Sequence, residues 1–308
     1  MTEKKMFKVE AEESGLRVDK YLSDQLPEIS RSYLQKIIKD GQVLANDKPV
    51  KANYKVSMGD AIELEIPEAV EPEIEPENIP LEILYEDADV ILINKPKGMV
   101  VHPSAGHYSG TLVNGLMYHC KDELSGINGV MRPGIVHRID MDTTGVIIAC
   151  KNDKSHNSIA EQLKEHSITR RYRAIVCGNI KEDEGTVDKP IGRDPSNRLR
   201  NAVTDLNSKN AVTHYKVLER FGRFTLIEAQ LETGRTHQIR VHMAYLKHPL
   251  LGDELYGPVK SKEGSKLGAK RQMLHAGILG FVHPSTGEYM EFESSLPDDF
   301  ESVLKKLR

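Results

Sequence analysis

Residues 134 to 145 read Gly-Ile-Val-His-Arg-Ile-Asp-Met-Asp-Thr-Thr-Gly and bring His137, Arg138 and Asp140 together between two short strand-like runs. One carboxylate beside a cation at a turn is the result. An isolated Asp before Thr-Thr-Gly would ordinarily bond its own backbone as a turn cap. A second cluster changes the reading: Glu232-Thr-Gly-Arg-Thr-His-Gln-Ile-Arg-Val-His242 packs Arg235, His237, Gln238, Arg240 and His242 into eleven residues. Two polar clusters of this density point to a polar site, in which a carboxylate beside a cation is a group that could do chemistry.

Composition limits the setting for such a site. The chain has 308 residues, 39% apolar and 29% charged, which is ordinary for a globular protein and long enough for two domains. No run approaches the roughly 20 apolar residues that span a bilayer. Met-Thr-Glu-Lys-Lys leads into no apolar signal core, so a cytoplasmic protein with no membrane role is expected. Cys120, Cys150 and Cys177 are odd in number, widely spaced and without Cys-x-x-Cys, and the twelve histidines are scattered. That pattern predicts reduced thiols and no metal. The net charge of −4 is unevenly placed: Asp60 to Asp89 holds twelve acidic residues and no Lys or Arg, whereas residues 90 to 308 hold 31 basic and 25 acidic residues. The mildly basic remainder is compatible with phosphate contacts.

The elements that must position these residues follow from periodicity. Val18, Leu22 and Leu26 repeat at four-residue spacing, and Ser30 caps a second periodic stretch with Leu34, Ile37 and Ile38, ended by Gly41. Two short helices followed by short strands are expected in a small module over residues 1–67. Its second helix carries Arg31, Lys36 and Lys39. Residues 68–80, rich in Glu and Pro, have too few apolar groups for a core and read as an extended linker. The remainder, 81–308, reads as the larger domain. Strands are expected over 81–84, 90–94, 168–176, 211–218 and 224–231, the last two joined by a hairpin at Gly222, with a helix over 153–166 and another starting near Thr236. Hairpin-linked strands imply a largely antiparallel sheet and an α+β fold. Arg193, Arg198 and Arg200 fall in a polar loop that either tracks phosphates or is simply solvated.

Five segments stand in the order of a known family: Asn94-Lys-Pro-Lys-Gly-Met-Val-Val-His-Pro103, Pro133-Gly-Ile-Val-His-Arg-Ile-Asp140, Arg170-Arg-Tyr172, Thr233-Gly-Arg-Thr-His-Gln-Ile-Arg-Val-His242 and His248-Pro-Leu-Leu-Gly-Asp-Glu-Leu-Tyr-Gly257. On these the chain resembles the RluA-type RNA pseudouridine synthases of the large-subunit ribosomal RNA kind, over nearly its whole length. Ile139 and Thr144 stand where that family commonly has Leu and Ser; both swaps keep size or hydroxyl character. Residues 31 to 46 likewise resemble the S-four-type RNA-binding module that often precedes the family's catalytic domain.

The resemblance implies a pseudouridine synthase fold with a mainly antiparallel or mixed central sheet and a cleft across it. It implies Asp140 as the catalytic carboxylate, Arg240 as its ion-pair partner and Tyr172 as the active-site tyrosine that stacks on the base. It makes Arg138 the candidate to fill the place of a flipped nucleotide. His137 either contacts phosphate or fixes its turn, and Arg235, with Arg31, Lys36 and Lys39, is expected to bind RNA. The reaction breaks the sugar-to-nitrogen bond of uridine, turns the uracil and rejoins the sugar to a ring carbon, which needs no cofactor. A stacked uridine must be flipped to reach the carboxylate. The expected partner is large-subunit ribosomal RNA, with transfer RNA as the alternative and no DNA; a monomer is expected. Specificity is expected in RNA shape and in loops such as Lys260 to Lys270.

Two other classes remain at this stage. A catalytically silent RNA-binding or ribosome-assembly factor would use the arginines but has no need of Asp140, whose charge repels phosphate. A hydrolase built on Asp140 and Asp142 would need two carboxylates facing one gap, and residues two apart on a strand diverge.

Overall fold

The structure is a computed structural model that describes residues 3–66, 74–104, 106–121, 123–127, 129, 132–197, 200–257 and 266–308. The chain falls into two compact units, Met1–Glu71 and Pro72–Arg308.

In the first unit, α1 (Val18–Gln25) and α2 (Arg31–Lys39) lie on a four-stranded antiparallel sheet of β1 (Glu3–Lys8), β2 (Val43–Ala45), β3 (Lys48–Pro49) and β4 (Ala61–Ile66), in the order β1-β4-β2-β3. The apolar spacing read from the sequence closes one core: Val18, Leu22, Leu34, Ile37 and Ile38 pack with Val43, Ile62 and Leu64. Ser30 caps α2 by accepting from the amide of Tyr33. At the other end Gly41 takes a positive φ of 80° as the chain leaves the helix.

The second unit is built on a nine-stranded sheet. Its strands are β5 (Ile83–Glu86), β6 (Val90–Lys95), β7 (Thr144–Cys150), β8 (Thr169–Cys177), β9 (Glu184–Asp188), β12 (Val212–Arg220), β13 (Phe224–Leu231), β14 (Leu274–Val282) and β15 (Tyr289–Glu293). The order is β5-β6-β7-β14-β8-β13-β12-β9, with β15 also on β14. A small ribbon, β10 (Ile191–Arg193) with β11 (Asn201–Val203), stands apart from it. Every pair in the large sheet is antiparallel except β7 with β14, where Thr144 meets His275 and Gly145 meets Ala276. The sheet is therefore mixed. Gly145 is required there: at φ +113° a Cβ would run into the carbonyl of Ala276. Helices α3 (Leu112–Cys120), α4 (Asp153–Lys164), α5 (Gln238–Tyr245) and α6 (Asp298–Leu307) complete the unit.

Several boundaries differ from the sequence reading. Helix α4 stops at Lys164, and His166 beyond it adopts a left-handed φ of 60°. Helix α5 begins at Gln238 because His237 is itself left-handed, with φ 59°. The expected linker changes most: residues 67–73 lie outside the described residues, but from Ile74 onward the chain is docked on the second unit. Ile74 is buried in the main core, Asn114 donates to the Glu75 carbonyl, and the Glu77 carboxylate accepts from the amide of Gly110 just ahead of α3. Apolar Ile74, Ile79 and Leu81, set between the acids, supply the contacts, and Glu77 faces the positive end of a helix.

Candidate active site

Asp140 sits in the loop that leads into β7, on the wall of a cavity of about 710 Å³. The loop residues 135 to 140 form one side of it, Arg170 and Tyr172 of β8 the floor, and Leu231 to Arg240 the other side. Arg240 Nη1 donates to Asp140 Oδ2 at 2.9 Å. The same guanidinium is anchored from behind: Nε and Nη2 form a fork with Asp253, at 2.7 and 3.0 Å. Asp253 is buried, and it also accepts from the amides of Leu255 and Tyr256, so its own position is set by the backbone. Burial works against the charge on Arg240, but the bonds and fields of Asp253 and Asp140 outweigh it and raise its pKa. The cation is permanent, and the fork to Asp253 leaves Nη1 turned toward Asp140.

Tyr256 completes this wall. Its ring lies under the Arg240 guanidinium, 5.1 Å from centroid to carbon, and its hydroxyl accepts from the Asn201 amide and pairs with His237 Nδ1, each at 2.9 Å. His237 Nε2 in turn is 3.9 Å from Asp140 Oδ1. Burial lowers the pKa of His237 against the pull of Asp140.

The turn that presents Arg240 is held by Gln238. Its amide oxygen accepts from Thr233 Oγ1 and the Arg235 amide, and its NH₂ donates to the Val212 carbonyl and Thr213 Oγ1. His242 is likewise buried, bonded to Thr213 and the Lys189 carbonyl. Of the dense polar segment 232–242, His242 only builds the turn, Gln238 both builds it and lines the cavity, and Arg235, His237 and Arg240 line the cavity.

Tyr172 is buried on β8, flanked in the sheet by Ala229 and Ala276, whose small side chains leave room for its ring. Burial raises its phenol pKa. Arg170, two residues back on the same face, is buried with Nη2 on the Glu232 carbonyl. His137 accepts the amide of Ile148 on Nε2, and burial together with Arg170 pushes it down to about 3. It is a neutral strut that fixes the loop to β7. Arg138 is exposed at the cavity mouth and donates to Thr236 Oγ1 at 2.8 Å, linking the two sides. Arg235 is tied by Nε to the Asn210 carbonyl.

Beneath the loop lies Lys95, fully buried, with Nζ donating to the carbonyls of Pro96, Met99 and Met141 at 2.7 to 2.9 Å. Burial pushes it down to about 7, opposed by Asp142 and Asp140. The sequence reading gave Lys95, Asp253 and Tyr256 no role, although all three lie in segments that carry the family resemblance. Of the polar-loop arginines, Arg200 pairs with Asp194 at 2.5 Å, and Arg198 lies outside the described residues, as do residues 260–265 of the expected specificity loop. In the first unit Lys36 and Lys39 are exposed on α2, and Arg31 pairs with Asp19 at 3.0 Å. Among the described residues no group of three or more His, Cys, Asp or Glu side chains gathers as a metal site, and no helix is long and apolar enough to cross a membrane.

Comparison with known proteins agrees with this layout. The family described as RNA pseudouridylate synthase matches residues 89–245, and the S4 domain matches residues 16–62. The uncharacterized RNA pseudouridine synthase YlyB of Bacillus subtilis is 54% identical over 297 residues, 96% of each chain. The ribosomal large subunit pseudouridine synthase D of Zymomonas mobilis is 44% identical over 299 residues, 95% of this chain and 94% of that one. Among solved structures, human RNA pseudouridylate synthase domain containing 4 superposes with a TM-score of 0.58 at 26% identity, covering 73% of this chain and 92% of its own. The chain belongs to the RNA pseudouridine synthase family: it is an isomerase that acts on RNA, with an S4 domain at its N-terminal end.

Proposed function

We propose that this enzyme converts specific uridines of large-subunit ribosomal RNA to pseudouridine, with Asp140 as the catalytic carboxylate. The observation that carries the reading is the Asp140–Arg240–Asp253 row, in which a doubly held cation fixes and neutralises one carboxylate at the edge of a cavity. In this reading Arg240 keeps Asp140 charged once RNA excludes water, as a pre-set electrostatic partner. The glycosidic bond breaks, the uracil turns while held against Tyr172, the sugar carbon rejoins the ring at carbon five, and that carbon gives up its proton while the ring nitrogen freed from the sugar takes one up. The raised pKa of Tyr172 makes its hydroxyl a poor base alone, so the phenol acts together with Asp140.

Reaching Asp140 requires the uridine to leave its stack, at a cost of a few kcal/mol. In this reading Arg138, exposed and bonded to Thr236, swings into the vacated position. Arg235 on the cavity wall and Arg31, Lys36 and Lys39 on the first unit supply phosphate contacts. The ribosomal assignment is supported by relatives such as the Zymomonas mobilis protein, whose name specifies the large subunit. The same reading makes the enzyme a cytoplasmic monomer.

Tritium release from RNA labelled at carbon five of uridine tests the proposal, comparing wild type with Asp140→Ala on ribosomal and transfer RNA. Wild-type release from ribosomal RNA, lowered by about 10⁴-fold or more in the variant while RNA affinity is kept, is expected. Release that persists in Asp140→Ala would sink the mechanism, and release from transfer RNA alone would move the substrate.

A further inference from the structure

Directly after Asp140 the backbone turns through Met141, Asp142 and Thr143, and two buried basic side chains hold its carbonyls. Lys95 takes that of Met141, and Arg271 Nη1 takes that of Asp142 at 2.8 Å, together with those of Gln272 and Leu274, each at 3.1 Å. One residue further on, Thr144 Oγ1 is bonded to the buried His275 at 2.9 Å. The start of β14 is therefore a template against which the catalytic loop lies.

Arg271 is itself held from the far end of the chain. Its Nε and Nη2 form a fork with the two carboxylate oxygens of Asp299, at 2.9 and 3.0 Å, and Asp299 stands in the first turn of α6. Lys97, in the turn after β6, also donates to Asp299 at 2.9 Å. Three segments distant in sequence thus meet at one carboxylate. A fork fixes the plane of a guanidinium, and that plane decides whether Nη1 reaches the Asp142 carbonyl.

We infer that Asp299 and Arg271 are positioning residues for the isomerisation, through which the C-terminal helix sets the loop that carries Asp140. This rests on Asp140 being the catalytic carboxylate. Neither residue lines the cavity, so neither touches substrate, and any effect on the reaction has to pass through the loop. Arg271 is buried, and without Asp299 its charge would sit unpaired against a loop bearing Asp140 and Asp142. Displacement of a reacting group by about 1 Å costs on the order of 10²-fold in rate.

The test is single-turnover pseudouridine formation with enzyme in excess, measured alongside the RNA dissociation constant and the melting temperature. Asp299→Asn keeps the shape and loses the charge; its rate should fall by about 10- to 100-fold while RNA affinity stays within about twofold. The double variant Arg271→Met, Asp299→Leu replaces the pair by apolar groups, which commonly preserves stability. A melting temperature near wild type with a slow rate is expected from it. The inference is overturned if Asp299→Asn turns over at the wild-type rate, if rate and RNA affinity fall together, or if the double variant recovers rate along with stability. Failure of the catalytic assignment is separately visible: Asp140→Ala would then remain active whatever Asp299 does.

Discussion

Two aspartate–arginine clusters, one in each unit, are built in opposite senses. In the first unit Asp19 is the buried member, with no exposed side-chain surface, and it holds Arg17 and Arg31, whose side chains are 49% and 47% exposed. In the second unit Arg240 is the buried member at 9%, backed by a fully buried Asp253, and it presents Asp140 at 22% exposure. The anchor is desolvated and the tool is left in contact with solvent. Since the burial of one charge is tolerable only beside its partner, the buried member of each pair determines where the exposed one stands. The first cluster presents cations to solvent and the second presents a carboxylate. In the function proposed above the first would meet phosphate and the second would do the chemistry, within one chain of net charge −4.

The comparison is broken most severely by removing an anchor from the second cluster. Asp253→Ala takes away the fork behind Arg240 and leaves a buried guanidinium with Asp140 as its sole carboxylate partner. A stability loss of about 3 kcal/mol is expected, because breaking a buried pair leaves an uncompensated charge. Arg240 would also turn toward Asp140, so the turnover rate should fall by about 10²-fold or more. Chemical denaturation and tritium release measured together check this. A stable, fully active Asp253→Ala enzyme would show that Arg240 needs no anchor.

A smaller effect is expected from the anchor of the first cluster, and it is readable by pH. Burial alone would raise the Asp19 carboxyl, but hydrogen bonds from Arg17, Gln35 and Arg31 outweigh it and hold it at about 2. A carboxyl depressed on folding contributes stability that is complete above its unfolded pKa, near 4, and is lost as pH falls toward 2, because the unfolded chain then binds the proton first. The stability advantage of wild type over Asp19→Asn should therefore shrink by about 2 kcal/mol between pH 5 and pH 2. A pH-independent difference would mean that the neutral amide loses only packing.

How much of this the sequence displays depends on whether a residue's partner is local. Asp140 and Arg240 were legible as parts of a polar site because each lies in a short segment dense with polar groups, and as a pair through the family resemblance; β8, β12 and β13 were legible to within two residues as short apolar-rich runs bounded by turns. Asp253 was not, since nothing in Gly-Asp-Glu-Leu-Tyr-Gly says that an arginine thirteen residues earlier points at it. Lys95 and Lys97 look alike in Lys-Pro-Lys-Gly, yet one is fully buried and the other exposed; the difference comes from Lys95 ending a strand that is inside the sheet. The pairing of β7 with β14 joins residues about 130 apart, and such contacts leave no periodic trace. Ile74 misled for a related reason: one apolar residue among glutamates reads as linker until the surface it fills is known.

The mildest perturbation removes a tool and leaves its anchor. Arg31 is half-exposed and shares Asp19 with Arg17, so the cluster keeps one net positive charge. If Arg31 reaches a phosphate, Arg31→Gln releases one fewer counterion when RNA binds, and the slope of log affinity against log salt should fall by about 0.7 to 0.9. Affinity at physiological salt would drop by less than about tenfold, roughly uniformly over RNA sequences, because phosphate contacts carry no base information. Turnover at saturating RNA should be unchanged, since Arg31 belongs to the unit that lacks Asp140. An unchanged salt slope would mean that Asp19 retains the guanidinium in the complex. The exposed member of the first pair would then be as structural as the buried one, and the phosphate contacts would have to come from Lys36 and Lys39.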